Sequence, residues 1–203
     1  MSRITVGLVD YGVGNHASVS HALHDAGFRV RVAGDAPTLD VCDVLLLPGV
    51  GAFPAAMARL RETGLDRYLQ QAAEAGRPLL GICLGMQLLA RESLEMGPCD
   101  GLGILPGRVV PLDRVPWHIG WNTLESVGDD PAFLASHGES FYFNHSFMLV
   151  DAPNCITAIA RVPQPVAAAV RRDRVAGLQF HPEKSQRAGM RLLHTLIAEI
   201  ARA

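Results

Sequence analysis

Between residues 4 and 89, apolar runs too short for a helix alternate with longer amphipathic stretches. Ile4-Thr5-Val6-Gly7-Leu8-Val9 reads as a buried strand, with Asp10 to Asn15 as the loop at its carboxyl end. A helix follows over Ala17–Ala26, closed by Gly27. Phe28–Ala33 and Asp43–Leu47 read as the next two strands, the latter stopped by Pro48-Gly49-Val50-Gly51. Helices are expected over Ala52–Leu60 and Leu65–Ala75, before a further strand at Leu79. Such alternation predicts an α/β fold, a mostly parallel sheet with helices on both faces. Sites in these sheets form outside the carboxyl ends of the strands, where the loops at Gly12, Gly49 and Gly81 converge.

From Gly101 the pattern shifts to shorter segments rich in Pro and Gly, which predicts added antiparallel strands in the C-terminal half. The candidates are Gly107–Val110, Ser140–Val150, Ile156–Arg161, Val166–Arg172 and Val175–Phe180, with a hairpin turn at Arg172-Asp173-Arg174. A last helix over Ser185–Ala201 turns Met190, Leu193, Leu196, Ile197 and Ile200 to one face. No repeat or linker interrupts the chain, so one domain over residues 1–203 is expected.

Composition narrows the class. The 203 residues are 49% hydrophobic with a mean hydropathy of +0.18, yet no apolar run reaches the roughly 18–20 residues of a membrane helix. The Met1-Ser2-Arg3-Ile4 start leads directly into a strand with no signal-peptide pattern. Four cysteines, Cys42, Cys83, Cys99 and Cys155, lack the spacing of a metal site or a disulfide framework. A reduced, cytoplasmic protein is expected, with no metal. The net charge of −2 gives no electrostatic case for nucleic acid or anionic membrane.

The chemistry centres on Leu79-Leu80-Gly81-Ile82-Cys83-Leu84-Gly85-Met86-Gln87. A buried strand, a tight Gly-flanked turn carrying a nucleophile and a following helix make a nucleophile elbow. The helix N-terminus favours thiolate over thiol at such a position. His181, at the end of the Val175–Phe180 strand, can reach across a parallel sheet to that thiol, and Glu183 can fix its tautomer. Cys83–His181–Glu183 is thus a candidate acyl-transfer triad. The Leu84 amide and the Gly49-Val50-Gly51 loop are the candidate oxyanion donors. A rival is Gly12-Val13-Gly14-Asn15-His16-Ala17 with Asp35, which fits a dinucleotide fingerprint but leaves the triad without a role.

The elbow with Phe180-His181-Pro182-Glu183 resembles the class I, triad-type glutamine amidotransferase family. So do Asp10 to Asn15, Pro48 to Phe53, Gly101 to Ile104, Gly120 to Asn122, Tyr142 to Ser146 and His181 to Ser185, in order along nearly the whole chain. The resemblance implies a flavodoxin-like fold and no cofactor. It implies that Cys83 attacks the glutamine amide, His181 protonates the departing ammonia, and Val50 supplies a switchable oxyanion peptide. Gly49, Gly51, Gln87, His145 and Ser146 would hold the glutamine. Ammonia would pass to a (βα)₈-barrel cyclase subunit, in a heterodimer making imidazole glycerol phosphate for histidine biosynthesis. Asn15, Trp121 and Lys184, the sole lysine, would face that partner.

Two positions depart from the family pattern: Trp117 intervenes in Pro116-Trp117-His118, and Phe147 replaces a tyrosine after His145-Ser146. They leave open a related glutaminase feeding a different barrel partner, such as one aminating a surface-polysaccharide sugar. His118 reads as structural.

Overall fold

The computed structural model describes residues 3–203; the Met1-Ser2 lead into the first strand lies outside the described residues. The expected alternation is present as β1 (Thr5–Val9), α1 (His16–Asp25), β2 (Arg29–Ala33), α2 (Ala36–Asp40), β3 (Val44–Leu47), α3 (Phe53–Thr63), α4 (Leu65–Glu74), β4 (Leu79–Ile82) and α5 (Leu84–Leu88). Short strands β5 (Glu92–Ser93), β6 (Cys99–Asp100), β7 (Arg108–Pro111), β8 (His118–Thr123) and β9 (Glu125–Ser126) follow, then α6 (Pro131–Leu134). The chain closes with β10 (Ser140–His145), β11 (Phe147–Val150), β12 (Ile156–Val162), β13 (Gln164–Arg172), β14 (Val175–Leu178), a 3₁₀ turn at Pro182–Lys184 and α7 (Gln186–Ile200).

One sheet runs β2-β1-β3-β4-β14-β13-β12-β9. Its first five strands are parallel and the rest antiparallel; Val175–Phe180, expected among the antiparallel additions, supplies β14, which runs parallel to β4 and antiparallel to β13. The parallel strands β3 and β4 are buried throughout, which is what continuous apolar runs require of a sheet covered on both faces. One apolar cluster joins a sheet face to α1 and α7 through Leu23, Leu46, Leu80, Leu193 and Ile197. The other joins the opposite face to α3, α4 and α5 through Leu45, Leu47, Phe53, Leu69 and Leu88.

Further expectations change, and strands β5, β6, β8 and β9 have no counterpart among the expected elements. The Ser140–Val150 run is two strands: β10 pairs with β8 and β11 with β7, in separate sheets. Two short helices, α2 and α6, were not expected; both start from an aspartate N-cap, Asp35 and Asp130, with a proline in the first turn. On α7, Leu192 is buried and Met190 only half-buried, so the buried stripe is shifted from the expected one.

Candidate active site

At the end of β4 the chain reverses through Cys83, whose backbone sits at φ 55° and ψ −114°, and enters α5 at Leu84. The turn works because the flanking positions have no side chains. A Cβ on Gly85 would overlap the Leu47 carbonyl oxygen, and one on Gly81 would lie 2.7 Å from the Gly85 backbone. Gly49 likewise sits 2.6 Å, measured from an added Cβ, from the Gly85 nitrogen. The loop after β3 therefore lies directly on the elbow. The Cys83 amide donates to the Leu178 carbonyl at 2.7 Å, tying the elbow to β14.

His181 follows β14 and is fixed twice. Its amide donates to the Tyr142 carbonyl at 2.8 Å, and its Nδ1 meets Glu183 Oε1 at 2.7 Å with both side chains almost fully buried. Nδ1 thus carries the proton toward the carboxylate and leaves Nε2 for the thiol. Burial opposes a charged His181, but the Cys83 side chain and then the Glu183 carboxylate outweigh it, and its pKa is pushed up from 6.5 to about 9. The second oxygen of Glu183, Oε2, is buried with no hydrogen-bond donor.

Cys83 and His181 share a cavity of about 290 Å³ with Val50, Gly51, Leu84, Gln87, His145, Ser146 and Lys184. Most residues singled out in the sequence thus meet in one place. Glu183 stands behind His181, and Gly49 behind the elbow. Asn15 does not reach the cavity: its side chain caps α1 by accepting from the Ser18 amide. Trp121 is half-exposed on β8, edge-on to Tyr142, and lines a neighbouring groove against α1 and α7. Lys184 Nζ lies 5.7 Å from the centre of the same Tyr142 ring.

Two of the expected glutamine-holding side chains also bond within the protein. Gln87 spends its amide nitrogen on the Phe147 carbonyl at 3.1 Å and Gln179 Oε1 at 2.9 Å, which leaves its oxygen for a ligand. His145 has both ring nitrogens engaged, Nδ1 with the Phe147 carbonyl at 2.8 Å and Nε2 with His118 Nδ1 at 2.9 Å. Burial, the larger effect, pulls His145 down to about 4 against the Phe147 bond, and burial takes His118 to about 4 as well. Burial thus favours the neutral form of both rings.

Sequence reasoning passed over three residues. Glu95 lines the cavity and accepts from the Phe53 amide at 2.8 Å, supplying a carboxylate to the start of α3. Nothing local marks it, since it acts across 42 residues. Gln179 is fully buried, and a lone amide in the apolar run before His181 was a readable signal. Tyr11 is buried and donates to the Pro48 carbonyl at 2.9 Å, bracing the Gly49–Gly51 loop; burial and then the nearby Cys83 raise its phenol well above the usual range. The dinucleotide alternative finds no support here: Asp35 caps α2, and the Arg59 guanidinium lies over Gly12.

The fold is shared with solved structures. "Structure of PurLQS from Thermotoga maritima" superposes with a TM-score of 0.79 at 22% identity, covering 98% of this chain and 99% of that one. A glutamine amidotransferase from Thermotoga maritima gives 0.74 at 14% identity, covering 100% of both chains. Sequence likeness runs closer. Imidazole glycerol phosphate synthase subunit HisH of Symbiobacterium thermophilum is 46% identical over 197 residues, 95% of this chain and 92% of that protein. The subunit of the same name from Exiguobacterium sibiricum is 47% identical over 191 residues, 93% and 92%. The profile of glutamine amidotransferase class-I matches residues 7–199 and so takes in the elbow, the β3 loop and the His181–Glu183 turn. With a buried Cys-facing His–Glu pair on that fold, the chain belongs to the class I glutamine amidotransferase family.

Proposed function

We propose that this chain hydrolyses glutamine to glutamate and ammonia, as the glutaminase subunit of an imidazole glycerol phosphate synthase in histidine biosynthesis. The observation that carries the chemistry is the buried 2.7 Å Glu183–His181 pair behind Cys83, on the elbow of a glutamine amidotransferase fold. The names of relatives more than 40% identical over nearly the full chain support the pathway.

In this reading the Cys83 thiolate attacks the side-chain amide carbon of glutamine, and the oxyanion formed is met by the Leu84 and Val50 amides. His181, protonated on both nitrogens and held by Glu183, gives its Nε2 proton to the amine, and the C–N bond breaks to release ammonia. The same nitrogen then takes a proton from water, whose oxygen attacks the γ-glutamyl thioester; glutamate leaves and the thiol is restored. Gln87 Oε1, Ser146 and the Gly49 and Gly51 backbone hold the substrate. Glu95 offers the carboxylate to pair its α-ammonium.

Val50 is half-exposed between glycines, and Gly51 holds φ at 92° with open space around it. This is a peptide free to reorient. The isolated chain is therefore expected to turn over glutamine slowly until a partner sets that amide. Trp121, Ile119 and Trp117, each more than half exposed on or beside β8, with Lys184 in the turn after β14 and Asn15 in the loop after β1, form the face offered to a (βα)₈-barrel cyclase. Ammonia would pass across that interface before water protonates it.

The test is glutamate release by the purified chain, alone and with a cyclase from the same source and its ribulosyl nucleotide substrate. Large stimulation that vanishes in Cys83→Ala supports the reading. No stimulation with a folded chain and active cyclase points to another acceptor.

A further inference from the structure

Resting on the glutaminase reading, we propose that His118 is a positioning residue for the glutamine pocket, acting through a one-way hydrogen-bond relay that ends on the Phe147 carbonyl. The relay is forced by what each atom can do. The Phe147 carbonyl only accepts, so His145 Nδ1, 2.8 Å away, carries a proton. A neutral His145 then has a bare Nε2, and the proton in its 2.9 Å bond comes from His118 Nδ1. His118 Nε2 is left as an acceptor and meets the Asn122 amide nitrogen at 3.1 Å. Asn122 is itself oriented: the same nitrogen reaches the Arg161 carbonyl at 3.0 Å, and its oxygen accepts from the Thr123 amide at 2.7 Å. Every donor points the same way, from β8 toward Phe147, and no tautomer is in conflict.

At its far end the relay meets substrate-binding groups. The Phe147 carbonyl receives the Gln87 amide as well as His145, and Gln87 also bridges to Gln179. The carbonyl thus fixes the rotamer that turns Gln87 Oε1 to the cavity. It also fixes the Asn144–Phe147 turn that forms the cavity's wall. Both ring nitrogens of His145 are used within the protein. His118 and His145 are buried, and His118 stacks on Phe143 at 4.4 Å, so no water replaces a lost donor without disturbing the wall.

The discriminating variants are His118→Phe, which keeps the ring and its stack on Phe143 but removes both nitrogens, and His118→Asn, whose amide offers a donor where Nδ1 stands. Glutamate release is measured with the cyclase present. His118→Phe is expected to raise the glutamine KM about tenfold, with kcat within about twofold, because the buried His145 Nε2 loses its donor and the wall shifts. His118→Asn should restore most of that loss. A scaffold role alone would not be rescued by Asn, whose smaller side chain gives up the stack.

Long-range nitrogen–proton NMR correlations on the wild-type chain give an arm independent of variant folding. His145 should be the Nδ1–H tautomer, and His118 likewise. Finding His145 protonated on Nε2 overturns the proposal, as does an unchanged KM in His118→Phe or an Asn variant no better than Phe. A wild-type chain that releases no glutamate with the cyclase would instead refute the glutaminase reading, while the tautomers remain measurable.

Discussion

Replacing Glu183 by Gln removes a charge from the site and almost nothing else. The Gln oxygen can still accept from His181 Nδ1, whose partner now lies at 2.7 Å with the two side chains 4% and 1% exposed. A charge-assisted hydrogen bond is worth about 1.5 to 3 kcal/mol against about 0.5 to 1.5 kcal/mol for a neutral one, a difference of about 1 to 1.5 kcal/mol or roughly one pKa unit. The wild-type His181 pKa of about 9 owes its first raising contribution to Cys83, so Glu183 accounts for part of the shift only. Glu183→Gln is therefore expected to move the alkaline limb of kcat/KM down by about one pH unit, with a loss that reaches roughly tenfold above pH 9 and stays under about twofold at neutral pH. The limb has this sign because the imidazolium, not the imidazole, protonates the leaving ammonia. Stability follows the same proton. A group whose pKa is raised by folding contributes fully below its unfolded value of 6.5, and that contribution fades as pH climbs through about 9. Wild-type Tm should fall across that window, and Glu183→Gln should fall less. An alkaline limb that stays near its wild-type position in Glu183→Gln would refute the reasoning.

At Cys83, with its φ of 55°, Gly should match or exceed Ala in stability by urea unfolding, whereas Gly ordinarily loses about 0.5–1 kcal/mol to Ala; the ordinary order would mean an unstrained elbow. Gly85→Ala drives a methyl into the Leu47 carbonyl and should cost about 3 kcal/mol or prevent folding, which a wild-type unfolding curve would contradict. Arg171 joins Asp130 at 3.0 Å and Glu199 at 2.9 Å, all three side chains under a third exposed. Arg171→Met strands two carboxylates and should lower stability by about 3 kcal/mol; a loss below about 1 kcal/mol would show the triad idle. Lys184→Ala should weaken stimulation by the cyclase roughly tenfold, and unchanged assembly and stimulation would remove Lys184 from the partner face.

The fold was legible where burial imposes a local pattern. β3 and β4 are apolar because both faces are covered, and the glycines around Cys83 are demanded by close backbone contacts at the elbow. Legibility failed where one run serves two cores. Phe141 and Phe143 belong to the cluster under α7, whereas Leu149 belongs to the cluster on the other face, so the chain must change sheets at Ser146. Periodicity alone reads such a run as one strand. Strand β8 hid for the opposite reason. It buries His118 and exposes Ile119 and Trp121, the reverse of the apolar-in, polar-out alternation by which a half-buried strand is read.

The site divides along the same line. Cys83 and the His181–Glu183 pair announce themselves because nucleophile geometry and tautomer control act over one turn of chain. The residues that shape the substrate's surroundings act over much longer separations: Glu95 on Phe53, Gln87 on Phe147 and Gln179, Tyr11 on Pro48, His118 on His145. Each is a polar side chain whose partner is chosen by the sheet topology, which sets β4 beside β14 and pairs β8 with β10. The reaction is therefore written in short motifs, and the recognition of substrate in the crossings between strands. Variation that alters specificity or coupling should accordingly fall in those crossings, with the elbow left intact.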